Sequence, residues 1–271
     1  MHVDGDSGSS TPPDVSALIS SVPDTAEPRR VASEDTGQSP IGPSPLNGRA
    51  ELVASALHLL HGRTRAVGRT ILGLAGPPGA GKSTLARYLV DEINRREGAE
   101  TAAYLPLDGF HLSNAQLERL GLRDRKGSPP TFDAGGYVAL LRRVLAERFR
   151  DIYAPDFDRT LDEPVAARHV IRPHTRLVVT EGNYLANADA PWSEVRMLLS
   201  ELWYVDAADH VRDTRLMRRH AENGRAPEAA RHWIVSNDHP NGECVKVGRE
   251  ACTRIIGHWD LPTASDRGSV L

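Results

Sequence analysis

Apolar positions recur along this chain with two different spacings. Short, nearly continuous apolar runs at 70–75, 101–107, 176–180 and 202–205 have the look of strands buried on both faces. Between them lie longer stretches whose apolar residues fall three or four apart. Leu52, Val53, Ala56, Leu57 and Leu60 predict an amphipathic helix over 49–60. Leu85, Tyr88, Leu89 and Ile93 mark the inner face of a second, which Gly98 ends because a glycine accepts the backbone geometry of a helix C-terminus. Two further helices are predicted over 112–120 and 137–149, flanking the basic loop 123–127, whose Gly127 and following Pro129 and Pro130 interrupt regular structure. Strand alternating with helix predicts an α/β fold of three layers, with a parallel five-stranded sheet between two helical layers.

The pattern fails at the N-terminus. Residues 1–47 are dense in Ser, Pro, Gly, Asp and Thr with few large apolar side chains, so they are expected to form a disordered tail, followed by one folded domain over 48–271. With 271 residues and 39% hydrophobic content the chain has material for one sizeable core. A formal net charge of -3 gives no global reason to expect a nucleic acid or an anionic membrane as partner. Cys244 and Cys252 are the only cysteines, too few for a disulfide framework, and no apolar run reaches the length of a membrane span. With no apolar leader at its start, the protein is expected in the cytoplasm.

Residues 76–83 read GPPGAGKS, a full GxxxxGK[ST] match placed between a predicted strand and a predicted helix. Gly76, Gly79 and Gly81, with Ala80 between them, let the backbone curl so that successive N–H groups face a phosphate, and the helix N-terminus adds partial positive charge. Lys82 is positioned for the β- and γ-phosphates of ATP, Ser83 for Mg2+, and Thr84 for a phosphate oxygen. Glu181 ends one apolar run and Asp108 another, where parallel sheets gather ligands. Glu181 is expected to bind Mg2+, and Asp108 to act as the base that accepts a proton from the attacking hydroxyl. No asparagine-lysine pair of a guanine-binding NKxD motif is present, nor an LSGGQ signature, which narrows the P-loop classes without by itself establishing a kinase.

Four segments resemble the phosphoribulokinase/uridine kinase superfamily, in its nucleoside or fructose-transport-system kinase branch: the P-loop, PLDGFHL at 106–112, RKGSPPTFD at 125–133 and TEGNYL at 180–185. APDFDR at 154–159 and SND at 236–238 support them. The resemblance implies an ATP-dependent phosphotransferase acting on a nucleoside or sugar-like alcohol, and related kinases often self-associate, so a homodimer is an expectation. RKGxPxxFD is also similar to type I pantothenate kinase, the alternative activity, although the aromatic Trp-Tyr segment that family uses for pantothenate has no counterpart. A nucleotide-sensing protein without catalysis is the alternative from another class.

The same resemblance places the segment from Lys126 to Asp133 on the acceptor side of the pocket and makes 213–235 a helical lid. Arg215, Arg218 and Arg219 share one helix face, where guanidinium forks suit phosphate oxygens, and Arg218 is the candidate catalytic arginine. His111, Lys126, Phe132, Asp133, Phe157 and Asp158 are the candidate acceptor-binding residues, the two aspartates because a polyhydroxylated acceptor needs fixed hydrogen-bond acceptors.

Overall fold

The computed structural model describes residues 45–46, 48–62 and 68–257. The expected tail therefore lies outside the described residues, apart from Pro45–Leu46, which forms a two-residue strand, β1.

In chain order the elements that follow are α1 (Arg49–Gly62), β2 (Thr70–Ala75), α2 (Lys82–Glu97), β3 (Ala102–Pro106), α3 (Asn114–Arg119) and α4 (Ala134–Ala146). Then come β4 (Ile152–Asp158), β5 (Glu163–Ile171), β6 (Leu177–Glu181), α5 (Trp192–Leu198), β7 (Glu201–Val205) and α6 (Asp209–Glu222). The last described elements are α7 (Pro227–Trp233), a π-helical stretch Ile234–Asp238, α8 (His239–Lys246) and β8 (Arg254–Ile256).

Five strands pair in parallel in the order β8-β7-β2-β6-β3, and β1 extends the sheet beyond β8. Successive residues of a strand point to opposite faces, and both faces are covered. Leu72, Leu74, Leu177, Val179 and Trp203 pack with Leu52 and Val53 of α1 and with Leu85, Leu89 and Ile93 of α2. Ile71, Val178 and Tyr204 pack on the other face with Tyr137, Leu141 and Val144 of α4 and Trp192 of α5. Burial on two sides is why these strands read as continuous apolar runs.

The far end of the sheet is fastened by buried Arg69, which donates to the carbonyl oxygens of Val144 (3.0 Å), Arg172 (2.7 Å), Thr175 (3.2 Å) and Glu147. An outlying antiparallel ribbon, β4 with β5, stands apart from the main sheet and brings its turn to the carboxyl end of β3. Its burial is mixed and Pro155 interrupts its register, so it carries no clean alternation and was not among the predicted strands. The stretch between β6 and β7 holds α5, whose Trp192 is buried while Met197 is exposed. Among the described residues no helix is long and apolar enough to cross a membrane.

Candidate active site

The loop between β2 and α2 can exist only with glycine at its turning points. Gly76 has φ +148°, and a Cβ there would strike the Val205 carbonyl of β7. Gly79 has φ +79°, and a Cβ would lie 2.9 Å from the Arg212 carbonyl of α6. An L side chain is excluded at both positions by conformation and by space. Ala80 turns its methyl into the core beneath α1 and α2, so it can offer a phosphate only its backbone.

A cleft of about 670 Å³ opens at the carboxyl ends of β2, β3 and β6. Gly79, Gly81, Lys82, Ser83, Thr84, Asp108, His111, Lys126, Phe132, Phe157, Glu181, Arg215, Arg218 and Arg219 all line it, so the structure brings together residues that lie up to 140 positions apart. Nine lysines and arginines on its walls face six carboxylates, which suits a polyanion such as a nucleoside triphosphate.

At the floor, the Lys82 ammonium donates to the Pro77 carbonyl (3.1 Å) and to Asn183 Oδ1 (2.7 Å). Burial pushes its pKa down to about 8, against the pull of Glu181 and Asp108. Glu181 Oε1 accepts from the Ser83 hydroxyl (3.1 Å) and from the Tyr104 hydroxyl (2.7 Å). Burial, and then the charge of Asp108, raise the Glu181 pKa. Asp108 sits in the 3-10 turn Leu107–Phe110 that follows β3. Burial alone would raise its carboxyl, yet protonated His111, then Arg159, Arg219 and Lys82, outweigh it and hold the pKa below the ordinary aspartate value. Burial lowers the His111 pKa, which weakens its share of that effect as pH rises and leaves Arg159, Arg219 and Lys82 beside the carboxylate.

Two of the proposed ligands suit Mg2+. Glu181 is a buried carboxylate whose charge its surroundings penalise, and the Ser83 hydroxyl is already 3.1 Å from it. Among the described residues no three His, Cys, Asp or Glu side chains cluster as a metal cage, which fits an ion held mainly by phosphate oxygens and one or two protein groups.

On the opposite wall the His111 ring lies between Phe132 (centroids 4.1 Å apart) and Phe157 (4.9 Å). Its Nδ1–H donates to the Asp108 carbonyl (2.7 Å), which leaves Nε2 of the neutral ring as a hydrogen-bond acceptor. Lys126 is buried, donates to Asn114 Oδ1 (2.6 Å) and stands over the Phe157 ring at 4.8 Å.

Two expected acceptor ligands do not reach the cleft. Asp133 is the N-cap of α4 and accepts from the Gly136 N–H (2.8 Å). Asp158 accepts from the N–H groups of Thr160 (2.9 Å) and Leu161 (3.0 Å), closing the β4–β5 turn, and pairs with Arg168. Both carboxylates are therefore committed to backbone.

The α6 arginines divide their work. Arg215 donates to the carbonyls of Gly79 (3.3 Å) and Ala80 (3.0 Å). Fully buried Arg212 donates to the Pro78 carbonyl (2.9 Å) and pairs with Asp209 (2.5 Å). Arg218 is exposed and lies 3.6 Å from Glu222, and Arg219 lies 3.5 Å from Asp238. Sequence reasoning missed Arg212, Tyr104, Asn183 and Arg159, which lies 3.4 Å from Asp108. Asn183 carried a usable signal, two residues beyond Glu181 in the segment TEGNYL, whereas Tyr104 reads as one more apolar strand position.

No family model matches the chain. A Schizosaccharomyces pombe protein named "Putative uridine kinase C227.14" is 36% identical over 160 residues, covering 58% of this chain and 68% of its own. The "ATP-dependent kinase-like protein notR'" of Aspergillus versicolor is 33% identical over 163 residues, 56% of this chain and 95% of that protein. Among solved structures, a "putative fructose transport system kinase" from Silicibacter sp. TM1040 superposes with a TM-score of 0.68 at 30% identity, covering 77% of this chain and 98% of that one. A pantothenate kinase of Rhizobium johnstonii is 30% identical over 176 residues, but the match spans 53% of that protein.

Proposed function

The chain belongs to the uridine kinase-like family of P-loop kinases, and from that premise we propose that it transfers the γ-phosphoryl group of ATP to a hydroxyl of a small nucleoside-like or sugar-like metabolite. The observation that carries the reading is the position of Asp108: an ionised carboxylate in the same cleft as Lys82 and Glu181, kept charged by the surrounding cations. Phosphoryl transfer asks a protein mainly for positioning and charge neutralisation, plus a group to take the proton of the attacking oxygen.

The residues divide accordingly. Lys82 and the P-loop backbone hold the β- and γ-phosphates, and Arg218 and Arg219 face the charge that spreads over the moving phosphoryl group. Asp108 accepts the proton as the acceptor oxygen bonds to phosphorus and the bond to the ADP oxygen breaks. Ser83 and Glu181 would hold Mg2+, which when bound neutralises phosphate charge. His111 and Phe157 form one wall of the acceptor space. The segment 213–235 acts as a lid over the phosphates, excluding water that would otherwise hydrolyse ATP.

The test is ADP release with MgATP against a panel of nucleosides, pentoses, ketoses and pantothenate, comparing wild type with Asp108→Asn. An acceptor-dependent rate that falls at least about a hundredfold in the variant is expected, the scale of losing a general base. Tight ATP binding with no acceptor-dependent rate would refute the kinase reading and favour a nucleotide sensor, and a panel won by pantothenate alone would move the substrate to that acid.

A further inference from the structure

Resting on that kinase reading, we infer that Arg159 is a positioning residue for the base: it holds the Asp108 carboxylate while the acceptor space is empty, yields it to the acceptor hydroxyl, and so keeps water from taking the acceptor's place.

Asp108 and Arg159 both line the cleft. Among the described residues the one hydrogen bond that reaches the Asp108 carboxylate comes from Arg159, whose Nη2 lies 3.4 Å from Oδ2. Lys82, Arg219 and His111 face the same carboxylate through their charge, but none of them is hydrogen-bonded to it. Arg159 is therefore the cation whose removal frees an oxygen atom of the base. Arg159 in turn pairs with no other carboxylate among the described residues.

The backbone builds this pair. Gly109, next to the base, packs so close to β4 that a Cβ there would stand 2.4 Å from the Pro155 carbonyl, so the turn carrying Asp108 and the ribbon carrying Arg159 touch. Asp156 anchors the ribbon, accepting from His169 Nε2 (3.0 Å) and lying 3.8 Å from Arg87 of α2. Beyond Arg159 the chain is tied by Asp158, which accepts from the Thr160 and Leu161 N–H groups, and by Asp162, shared by Arg123 (3.0 Å) and Lys126 (3.1 Å). The aspartates of this segment are thus committed elsewhere, and Arg159 is left to the base.

The weakness of the contact decides its role. The pair is long, its side chains are 43% and 33% exposed, and ion pairs of that kind hold little. A hydroxyl bonded to an ionised carboxylate at ordinary distance makes one of the stronger hydrogen bonds. An acceptor seated against the wall of His111 and Phe157 therefore wins the carboxylate from Arg159. Water has no such contacts to fix it near the phosphorus, and it meets a base already engaged.

The test needs no acceptor. ADP release from MgATP alone is followed for wild type, Arg159→Gln, Arg159→Lys, and Arg159→Gln combined with Asp108→Asn. In the step that is read, a water oxygen bonds to phosphorus, its proton passes to Asp108, and the bond to the ADP oxygen breaks, giving ADP and inorganic phosphate. Arg159→Gln is expected to raise this hydrolysis about tenfold, part of what a general base supplies. Arg159→Lys keeps the charge beside the carboxylate and should stay close to wild type, and the double variant should lose the gain. Thermal melts on the same samples should show every variant folded, since the Arg159 side chain is half-exposed in a turn that its neighbours hold.

A purely structural arginine gives no such pattern, because loosening the ribbon lowers the melting temperature without creating a rate that Asp108 carries. Hydrolysis unchanged in Arg159→Gln, or a rise that survives Asp108→Asn, would overturn the inference. So would a fall, which would make Arg159 a ligand of the phosphate instead. The kinase reading is decided separately, by whether the wild type phosphorylates any acceptor of the panel in a way that Asp108→Asn abolishes.

Discussion

Lys82 makes the empty protein less stable than it could be, and the penalty is measurable without a substrate. Its pKa drops from the ordinary lysine value of 10.5 to about 8, chiefly through burial. At about 1.4 kcal/mol for each tenfold step, that gap sets roughly 3 kcal/mol against the charged form in the folded chain. Replacing Lys82 by Met keeps the stem and removes the charge, at the loss of two hydrogen bonds, to the Pro77 carbonyl and Asn183, each worth about 1 kcal/mol. The variant should therefore be more stable by about 1 to 2 kcal/mol at pH 7, a rise in Tm of about 2 to 6 °C for a domain of this size.

The sign of the pH dependence follows from proton counts. Between pH 8 and 10.5 the folded wild type has released the Lys82 proton while the unfolded chain still binds it, so wild-type stability gains with rising pH relative to the variant. The gap between the two proteins should close at about pH 9 and reverse toward pH 10.5, where the two hydrogen bonds leave the wild type the more stable. Calorimetric melts of both proteins at pH 7, 8, 9 and 10 without nucleotide measure it. A variant less stable at pH 7, or a gap unchanged with pH, would refute the assignment of that penalty to a buried ammonium. Adding MgATP should reverse the order, because only the wild type gains stability from tight binding.

Three further substitutions probe other parts of the site. Tyr104→Phe removes the 2.7 Å hydrogen bond to Glu181 and should raise the Mg2+ concentration for half-maximal activity by about tenfold, read in a Mg2+ titration at fixed ATP, while saturating Mg2+ restores most of the rate. Asp133→Ala should lower stability by about 1 kcal/mol through the lost helix cap, seen in denaturant melts, and leave the acceptor KM unchanged; a large rise in KM would return this aspartate to the pocket. Arg212→Met takes away the brace on the Pro78 carbonyl and should lower stability by about 2 kcal/mol and raise the KM for ATP together, checked by melts and steady-state kinetics on the same samples.

Where sequence reasoning succeeded, the decisive physics is local. A buried strand, a glycine loop and a helix occupy consecutive residues from Thr70 to Glu97, and each reports its own geometry through its own residues. Asp108 and Glu181 were legible because a carboxylate closing an apolar run must sit at a strand end. The misplaced residues failed for an equally definite reason. Asp133 and Asp158 lie in segments next to the site, but a carboxylate that caps a helix or closes a turn has the same identity as one that binds a hydroxyl. For Asp133 the clue was the helix that begins one residue later, at Ala134 rather than at the predicted 137. The fifth strand, Arg254–Ile256, is three residues long and too short to show any period.

Two walls of the cleft are joined through the π-helical stretch Ile234–Asp238. Asn237 donates to the Lys126 carbonyl (2.7 Å), so it fastens the loop that carries Lys126. The next residue, Asp238, accepts from His220 Nε2 (3.0 Å) and lies 3.5 Å from Arg219, so it fastens the end of α6. Two residues adjacent in sequence thus hold opposite walls, a geometry that the extra residue of a π turn permits by rotating the following side chain onto another face. At its other end α6 holds the P-loop carbonyls through Arg212 and Arg215. The P-loop, α6 and the loop that carries Lys126 consequently form one hydrogen-bonded frame. A shift of α6 has to strain or break these bonds, or carry the P-loop and the Lys126 loop with it. In the proposed reaction, the spacing between the γ-phosphate and the acceptor hydroxyl would therefore be set by the frame rather than by any one of the side chains that line the cleft.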